Sequence, residues 1–188
     1  MDYKSYIEDY FNKEIEIINK LDICAVHEAI NAIVEARDRG GTIYTMGNGG
    51  SAATASHMVC DFAKGASSSL GGKKFCFECL CDNVPIVMAI ANDIGYDEVF
   101  VFQLRGKLKP EDLLIGISGS GNSENVVRAI RYAKEIGTPV IGITGYDGGM
   151  VRELADYSMH VAVDDMQIAE DIHMIFYHMM LRVLEKCR

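Results

Sequence analysis

The sequence predicts one α/β domain in which a parallel β-sheet is flanked by helices in three layers. Stretches with helical apolar spacing alternate with short apolar runs, an order typical of strand–helix–strand units. Two of the apolar runs end in glycine- and serine-rich segments, and a helical stretch follows each of these segments. The length of 188 residues, with 49% hydrophobic and 24% charged residues, is typical of a single globular domain with a substantial core.

The first part of the chain predicts two helices before any strand. Apolar residues at helical spacing indicate a first helix over about residues 2–20 and a second from about Val26 to Arg39, where two glycines end it. The first helix carries an aromatic stripe, and such stripes more often serve packing than ligand binding. We therefore expect this helix to pack across subunits of an oligomer. The stripe consists of Tyr3, Tyr6, Tyr10 and Phe11.

Four short apolar runs predict buried strands, and helical stretches follow three of them. The strands are expected at residues 42–46, 113–117, 139–144 and 160–163. The helices are expected at about residues 52–63, at about 124–136, and from about Met166 to the carboxyl terminus. The alternation of these strands with helices indicates a parallel sheet.

Residues 76–81, which contain three cysteines, have two interpretations. They form either a strand with buried thiols or a structural zinc knuckle. The strand is favoured, because no second pair of cysteines or histidines follows at zinc-site spacing. Residues 66–74, rich in serine and glycine, are expected to form an exposed loop.

Two glycine–serine segments stand where a predicted strand passes into a predicted helix. In open α/β sheets, ligands bind beyond the carboxyl ends of the strands, where free amides and the helix dipole favour an anion. Glycine lets the backbone approach a ligand closely, and serine hydroxyls can donate to the same oxygens. We expect the second segment to hold a phosphate group, with Ser51 of the first segment as a further donor. The segments are Gly47-Asn48-Gly49-Gly50-Ser51 and Ser118-Gly119-Ser120-Gly121-Asn122-Ser123.

A plainer alternative is that both segments are tight turns in which Ser51 and Ser123 cap the following helices. Known nucleotide motifs do not match either segment. The second lacks the Gly-Lys-Ser/Thr of a Walker loop, and Ser51-Ala52 occupies the place of the last glycine of a dinucleotide-binding loop. Two such segments after two strands of one sheet favour the anion site.

Three stretches of the chain resemble the SIS (sugar isomerase) family and, within it, the phosphoheptose isomerases. They are residues 47–57 with Asp61, residues 117–123, and the run Asn92-Asp93-Ile94-Gly95-Tyr96. The resemblance spans most of the chain. It implies the SIS-type three-layer fold, aldose–ketose isomerisation of a sugar phosphate, and a homotetramer with active sites at subunit interfaces. The substrate-binding residues that it implies are Asn48, Gly49, Gly50, Ser51, Asp61, Asn92, Asp93, Ser118, Gly119, Ser120, Ser123 and Glu170.

Acidic and imidazole side chains on two helices form the candidate reaction centre. His57 and Asp61 are four residues apart and share a helix face, so they can bind a divalent metal, act as acid and base, or merely form a surface pair. On the last helix, His173 and His178 are five residues apart, so only one of them is expected to face a given site. The resemblance selects His178. It implies zinc binding by His57, Asp61, Glu170 and His178, with Asp61 and His178 catalytic.

Four positions depart from the pattern of the family. Asp61 stands where glutamate is usual and Glu170 where glutamine is usual, and we hypothesise that the two changes compensate by exchanging side-chain lengths at the metal. Ala66 replaces the usual arginine and Met166 the usual threonine, which points to a divergent subgroup. On a straight helix, Glu170 and His178 are about 12 Å apart. They can bind one ion only if the helix is interrupted or if subunits share sites.

Composition limits the partners and the location that we expect. The net charge of -9 argues against nucleic acid, which requires clustered basic residues. The apolar stretches are shorter than the roughly 20 residues of a membrane span, and the polar start Met1–Ser5 is unlike a signal peptide. Six cysteines in such a chain indicate reduced thiols. We expect a cytoplasmic protein without a membrane or nucleic-acid partner.

The reaction implied by the resemblance converts sedoheptulose 7-phosphate to D-glycero-D-manno-heptose 7-phosphate, a precursor of surface glycans. Asp61 would remove a proton next to the carbonyl. His178, alone or with a metal, would move protons between neighbouring oxygens or polarise the carbonyl. One alternative is an isomerase of another sugar phosphate, distinguished by the pocket around residues 64–66 and Met166. The other is a non-catalytic SIS module that binds a sugar phosphate or a protein and has no need of the four metal-binding positions.

Overall fold

A five-stranded sheet lies at the centre of the computed structural model, which describes residues 2–66 and 73–186. The strands lie in the order β2-β1-β3-β4-β5, and each neighbouring pair is parallel. The order reverses between β1 and β3, so the switch point of the sheet lies beyond the carboxyl ends of these two strands. The strands are β1 (Thr42–Gly47), β2 (Cys76–Cys79), β3 (Leu113–Ser118), β4 (Val140–Thr144) and β5 (Tyr157–His160).

Helices cover both faces of this sheet. They are α1 (Lys4–Ile18), α2 (Ile23–Arg39), α3 (Gly50–Asp61), α4 (Val84–Asp93), α5 (Val101–Leu104), α6 (Glu124–Ile136), α7 (Gly149–Leu154) and α8 (Met166–Lys186). A π-helix (Phe62–Ala66) continues α3, and a 3₁₀-helix (Tyr96–Glu98) follows α4. One core packs α1, α2, α3 and α8 on the first face, and a second core packs α4 to α7 on the other. The predicted three-layer α/β architecture is confirmed.

Most predicted strands are confirmed, and one is misplaced. The strands predicted at 42–46, 113–117 and 139–144 each match the structure to within one residue, and β2 confirms the strand within the cysteine run. The strand predicted at 160–163 is wrong, because β5 covers residues 157–160. Val161 and Val163 are buried against the core of the first face, so their apolar character reflects packing beyond the end of the strand.

The helix predictions differ from the structure mainly at their starts. Asp22 caps α2 by accepting from the amides of Cys24 and Ala25, so α2 begins at Ile23 rather than near Val26. Helix α3 begins at Gly50 rather than Ala52, and α8 confirms the last predicted helix. The sequence analysis missed α4, α5 and α7. Residues 67–72 of the predicted loop lie outside the described residues.

The thiols of the cysteine run have different environments. Cys79 is buried and Cys81 half-buried, whereas Cys76 is exposed, so the expectation of buried thiols is wrong for Cys76. The Cys81 thiol donates to the Gly47 carbonyl at 3.3 Å. The run therefore packs next to the end of β1, where the first glycine–serine segment starts.

Helix α1 uses only part of its aromatic stripe within the chain. The Tyr10 hydroxyl donates to Asp171 on α8, and Lys13 pairs with Asp165 at 2.7 Å. Tyr6 and Phe11, by contrast, are 74% and 56% exposed.

Within the described residues, we find no helix with the length and apolar character that crossing a membrane requires.

His173 is a buried imidazole on the face of α8 that meets the sheet. Its side chain is 1% exposed and stacks on Phe176, with 6.5 Å between ring centroids. Burial lowers the pKa of His173 to about 4. Between pH 6.5 and 4, the unfolded chain therefore binds a proton at this residue that the folded chain excludes.

We expect this difference to make stability fall as the pH is lowered from 6.5 to 4. The free energy of unfolding should fall by roughly 3 kcal/mol more in the wild type than in His173→Leu, at about 1.4 kcal/mol per pH unit. Urea denaturation at fixed protein concentration and at several pH values measures this difference. His27→Leu removes an exposed imidazole and is the matched control. Equal pH dependence in His173→Leu and the wild type would contradict the expectation.

Candidate functional site

At the switch point, a reciprocal pair of amide hydrogen bonds joins the first glycine–serine segment to the first turn of α6, directly after the second segment. The Asn48 Nδ2 donates to the Asn125 Oδ1 and the Asn125 Nδ2 to the Asn48 Oδ1, both at 2.9 Å. The Tyr96 hydroxyl also donates to Asn48 Oδ1 at 2.8 Å. Asn125 is 2% exposed, and its oxygen also accepts from the amide of Val126. The two segments are therefore held in one fixed arrangement.

The segment after β3 leaves amides free at the start of α6. The hydroxyls of Ser118 and Ser123 are 3.1 Å apart, and the Gly121 amide donates to the Ser118 hydroxyl at 3.1 Å. Ser123 occupies the N-cap position, but its side chain caps no amide, so the capping alternative is wrong for Ser123. The amides of Ser120, Ser123 and Glu124 have no partner among the described residues. Such amides at the start of a helix suit an anion.

Glycines let this segment pack tightly against its neighbours. Gly121 has a φ of +69°, and a Cβ there would lie 1.9 Å from the Gly148 carbonyl oxygen. A Cβ on Gly119 would lie 2.7 Å from the Met166 sulfur. Met166, one of the departures from the family pattern, thus covers the space beside Gly119.

The segment after β1 has a carboxylate at the start of its helix. Because α3 begins at Gly50, Ser51 lies in the first helical turn, and the capping alternative is wrong for Ser51 as well. The Glu170 carboxylate lies against Gly50, where an added Cβ would be 2.5 Å from the Glu170 Oε2. A carboxylate is favourable at the amino end of a helix. Glu170 therefore occupies the side of α3 where an anionic ligand would bind, and the segment after β3 is the one open to a phosphate.

Three of the four predicted metal-binding residues lie together. The Asp61 Oδ2 is 3.6 Å from the His57 Nε2 and 3.7 Å from the His178 Nε2. Possible ligand atoms of all three residues lie within 4.8 Å of one another. The two imidazoles are about half exposed, with side-chain exposures of 44% and 50%, and Asp61 is half-buried. A carboxylate between two accessible imidazoles can accept a proton or share a metal ion with them.

The spacing of these donors fits a metal ion. Both distances are longer than a hydrogen bond. In a tetrahedral zinc site with bonds of about 2.0–2.1 Å, neighbouring ligand atoms are about 3.3–3.5 Å apart. Two imidazoles and a carboxylate are also a donor set that zinc accepts. The residues present therefore fit a divalent metal such as zinc with little rearrangement.

Glu170 lies apart from this cluster within the chain. Helices α3 and α8 run side by side in the same direction, so that Gly50 lies beside Glu170 and His57 beside Tyr177. Helix α8 is continuous from Met166 to Lys186, which places Glu170 about 12 Å of helix rise before His178. The interrupted helix considered above is therefore wrong. Asp61 and Glu170 share no site within one chain. The hypothesis that these two residues compensate for each other at the metal therefore has no support within the chain. Sites shared between subunits stay a prediction.

Tyr177 is a further residue at the cluster that the sequence analysis missed. Its hydroxyl forms a hydrogen bond with the His57 Nδ1, and its ring contacts the rings of His57 and His178 at centroid distances of 5.2 and 4.2 Å. Burial, and then the negative charge of Asp61, raise the pKa of Tyr177, so the phenol stays protonated. Its position in an apolar run indicated only a core residue.

The other predicted sugar contacts lie near the joined segments. Asn92 and Asp93 are exposed in the last turn of α4, where the Asn92 amide donates to the Asp93 carboxylate at 2.7 Å. Tyr96, three residues after Asp93, reaches Asn48. Contact between Asn92 or Asp93 and a substrate stays a prediction. Because the Asn48 side chain is engaged by Asn125, any ligand contact of Asn48 must share that amide or use its backbone.

Comparisons with known proteins agree with this fold. The SIS domain family matches residues 6–145. A probable phosphoheptose isomerase of Thermoplasma acidophilum is 33% identical over 186 residues, which cover 99% of each chain. A phosphoheptose isomerase of Aliarcobacter butzleri is 36% identical over 160 residues, covering 85% of this chain and 84% of its own. The solved structure of the phosphoheptose isomerase of Neisseria gonorrhoeae is 28% identical, with a TM-score of 0.88 over 97% of this chain and 98% of its own.

We expect Asn48 and Asn125 to stabilise the fold jointly. Asn48→Ala and Asn125→Ala should each lower the free energy of unfolding by about 1–3 kcal/mol, because each leaves a partner amide unsatisfied. The double variant should lose less than the sum of the two, by about 0.5–3 kcal/mol. Denaturant unfolding of the four proteins measures this coupling. Additive losses would show that the reciprocal bonds do not hold the two segments together.

Proposed function

We propose that this chain, which belongs to the phosphoheptose isomerase family of SIS-domain proteins, interconverts sedoheptulose 7-phosphate and D-glycero-D-manno-heptose 7-phosphate. One observation carries the proposal. Asp61, at the end of α3, lies between the imidazoles of His57 on the same helix and His178 on α8. An aldose–ketose isomerase needs an anion site for the phosphate and a base for the proton next to the carbonyl. The chain has candidates for both.

The phosphate is held by the segment after β3. The amides of Ser120, Ser123 and Glu124, at or just before the start of α6, have no partner among the described residues, and the serine hydroxyls of the segment add further donors. The segment is fixed to Asn48 through Asn125 before any ligand arrives. A preorganised site loses less entropy on binding.

In the proton transfer, Asp61 acts as the base. It removes a proton from C1 of the ketose, and the electron pair left behind forms the C1=C2 bond of an enediol as the carbonyl oxygen takes up a proton. Return of the first proton to C2, with loss of the proton from the oxygen on C1, gives the aldose. When no metal occupies its Nε2, His178 transfers protons between the two oxygens, and its exposure leaves room for the substrate.

We propose zinc as the metal held by His57, Asp61 and His178. When bound, it supplies Lewis-acid polarisation of the substrate oxygens. Glu170 can join this set only from a neighbouring subunit, because α8 separates it from the cluster within the chain.

Among the described residues all five cysteines are free thiols, which fits a reducing compartment such as the cytoplasm.

We also propose a homotetramer whose active sites lie at subunit interfaces. Tyr6, Ile7, Phe11 and Ile15 leave one side of α1 exposed and apolar. On the opposite face of the sheet, Met88 of α4 is 66% exposed. Apolar surface of this extent on two faces favours burial against further copies of the chain.

We expect Asp61→Asn to abolish most turnover and to leave substrate binding nearly unchanged. The amide keeps the shape of the side chain but cannot take the proton, so kcat should fall by about 10²–10⁴-fold. Conversion of sedoheptulose 7-phosphate is measured with and without added zinc, and binding is measured by calorimetry. Asp38→Asn, an exposed carboxylate on α2, is the control.

The outcomes of that experiment separate the alternatives. Full activity of Asp61→Asn would contradict the role of this carboxylate. Wild-type protein that binds sedoheptulose 7-phosphate without converting it would favour the non-catalytic module. Conversion of a different sugar phosphate alone would favour the other isomerase.

The oligomer gives a separate prediction. Ile7→Lys combined with Phe11→Lys places two charges on the exposed side of α1 and should shift the protein from tetramers to smaller species, with loss of turnover. Light scattering after size-exclusion chromatography measures the mass. Asn12→Lys adds a charge on another side of α1 and should leave the tetramer intact. A monomeric wild type that is fully active would contradict shared active sites.

A further inference from the structure

Tyr177 is placed beneath the metal cluster rather than within it. The side chain is completely buried in the core of the first face, next to apolar neighbours such as Phe176 and Met180. Its hydroxyl ends at the Nδ1 of His57, on the side of the imidazole away from Asp61. Tyr177 therefore contacts a metal-binding residue from the core, while the cluster itself faces outward.

The hydrogen bond restricts the imidazole of His57. The rings of His57 and Tyr177 meet at an interplanar angle of 65°. The ring of His178 also packs against the ring of Tyr177, with 4.2 Å between the centroids. A half-exposed histidine otherwise rotates freely about its side-chain bonds. With Nδ1 held by the hydroxyl, Nε2 points toward the Asp61 carboxylate at 3.6 Å.

A hydroxyl is suited to this position because it can donate and accept. When Nδ1 carries no proton, the Tyr177 hydroxyl donates to it; when Nδ1 carries a proton, the same oxygen accepts. The second arrangement leaves the lone pair of Nε2 free for a metal. Histidines that bind metals usually donate their other ring N–H to such a partner, and loss of the partner typically weakens metal affinity 10- to 100-fold.

We propose that Tyr177 is a positioning residue for His57, which holds the imidazole so that its Nε2 faces Asp61 and His178 and is ready to bind the metal. The inference rests on the metal cluster of the proposed function. It assigns to a buried tyrosine hydroxyl a role that core packing does not require, because phenylalanine would fill the same space.

The test compares the zinc affinity of Tyr177→Phe with that of the wild type, by competition with a chromophoric chelator and without substrate. We expect the zinc dissociation constant to rise 10- to 100-fold. In a His57→Gln background, the same substitution should change it less than twofold, because the imidazole on which the hydroxyl acts is absent. Tyr44→Phe alters another buried tyrosine and should leave the affinity within twofold of the wild type.

Further measurements distinguish positioning from a structural effect. Saturating zinc should restore the kcat of Tyr177→Phe, and its unfolding midpoint in chelator should stay close to that of the wild type. In wild-type protein with labelled histidine, the ¹⁵N shifts should show a hydrogen-bonded Nδ1 on His57, a result that does not depend on how any variant folds.

Several results would overturn the inference. They are an unchanged zinc affinity of Tyr177→Phe, an equal loss in the His57→Gln background, a His57 Nδ1 without a hydrogen bond, and a wild type that binds no zinc. Because zinc binding is measured without substrate, failure of this inference is distinguishable from failure of the isomerase proposal. A wild type that binds zinc but converts no heptose phosphate would contradict only the latter.

Discussion

The reciprocal amide bonds between Asn48 and Asn125 join the chain at the point where the strand order reverses. Beyond the ends of β1 and β3, backbone hydrogen bonds tie the second segment to Gly145 and Val151, and side chains link Asn48 to the start of α6. Burying an amide without a partner is unfavourable, and each of these two amides satisfies the other. The starting points of α3 and α6 are fixed as a result. The geometry of both helices, and of the side chains that they carry, depends on this junction.

The two helix starts that meet at this junction differ in how open their amides are to an anion. Glu170 lies against the first residue of α3, whereas the first amides of α6 have no partner among the residues described. A phosphate bound near α3 would be repelled by the Glu170 carboxylate. At the start of α6 the Glu124 carboxylate is paired with Arg128, and free amides can donate to an anion. The protein has a net charge of -9, so local amides rather than overall charge must attract the substrate. Met166 covers Gly119 beside these amides.

The parallel course of α3 and α8 brings together the cluster of His57, Asp61 and His178 from two helices more than 100 residues apart in sequence. It pairs His57 with Tyr177 and brings Asp61 to His178, while the same register leaves Glu170 at the far end. The half-exposed histidines face outward, where a substrate or a neighbouring subunit can approach. The buried tyrosine supports them from the core. Outer accessibility and inner restraint together are what a metal or proton-transfer site requires.

The sequence by itself determined the layered α/β fold, the two segments at strand ends, and the pairing of His57 with Asp61. All of these follow from short-range periodicity, in which residues a few positions apart share a face or a turn. The sequence analysis misplaced the strand at residues 160–163. Apolar character shows that a residue is buried, but it does not tell whether the residue pairs in a sheet or packs beyond the end of a strand. His178 was selected only by family resemblance. The tertiary structure alone decided that Asn125 joins the two segments, that Tyr177 holds His57, and that Glu170 stays apart from the cluster, because each depends on the register between elements distant in the chain.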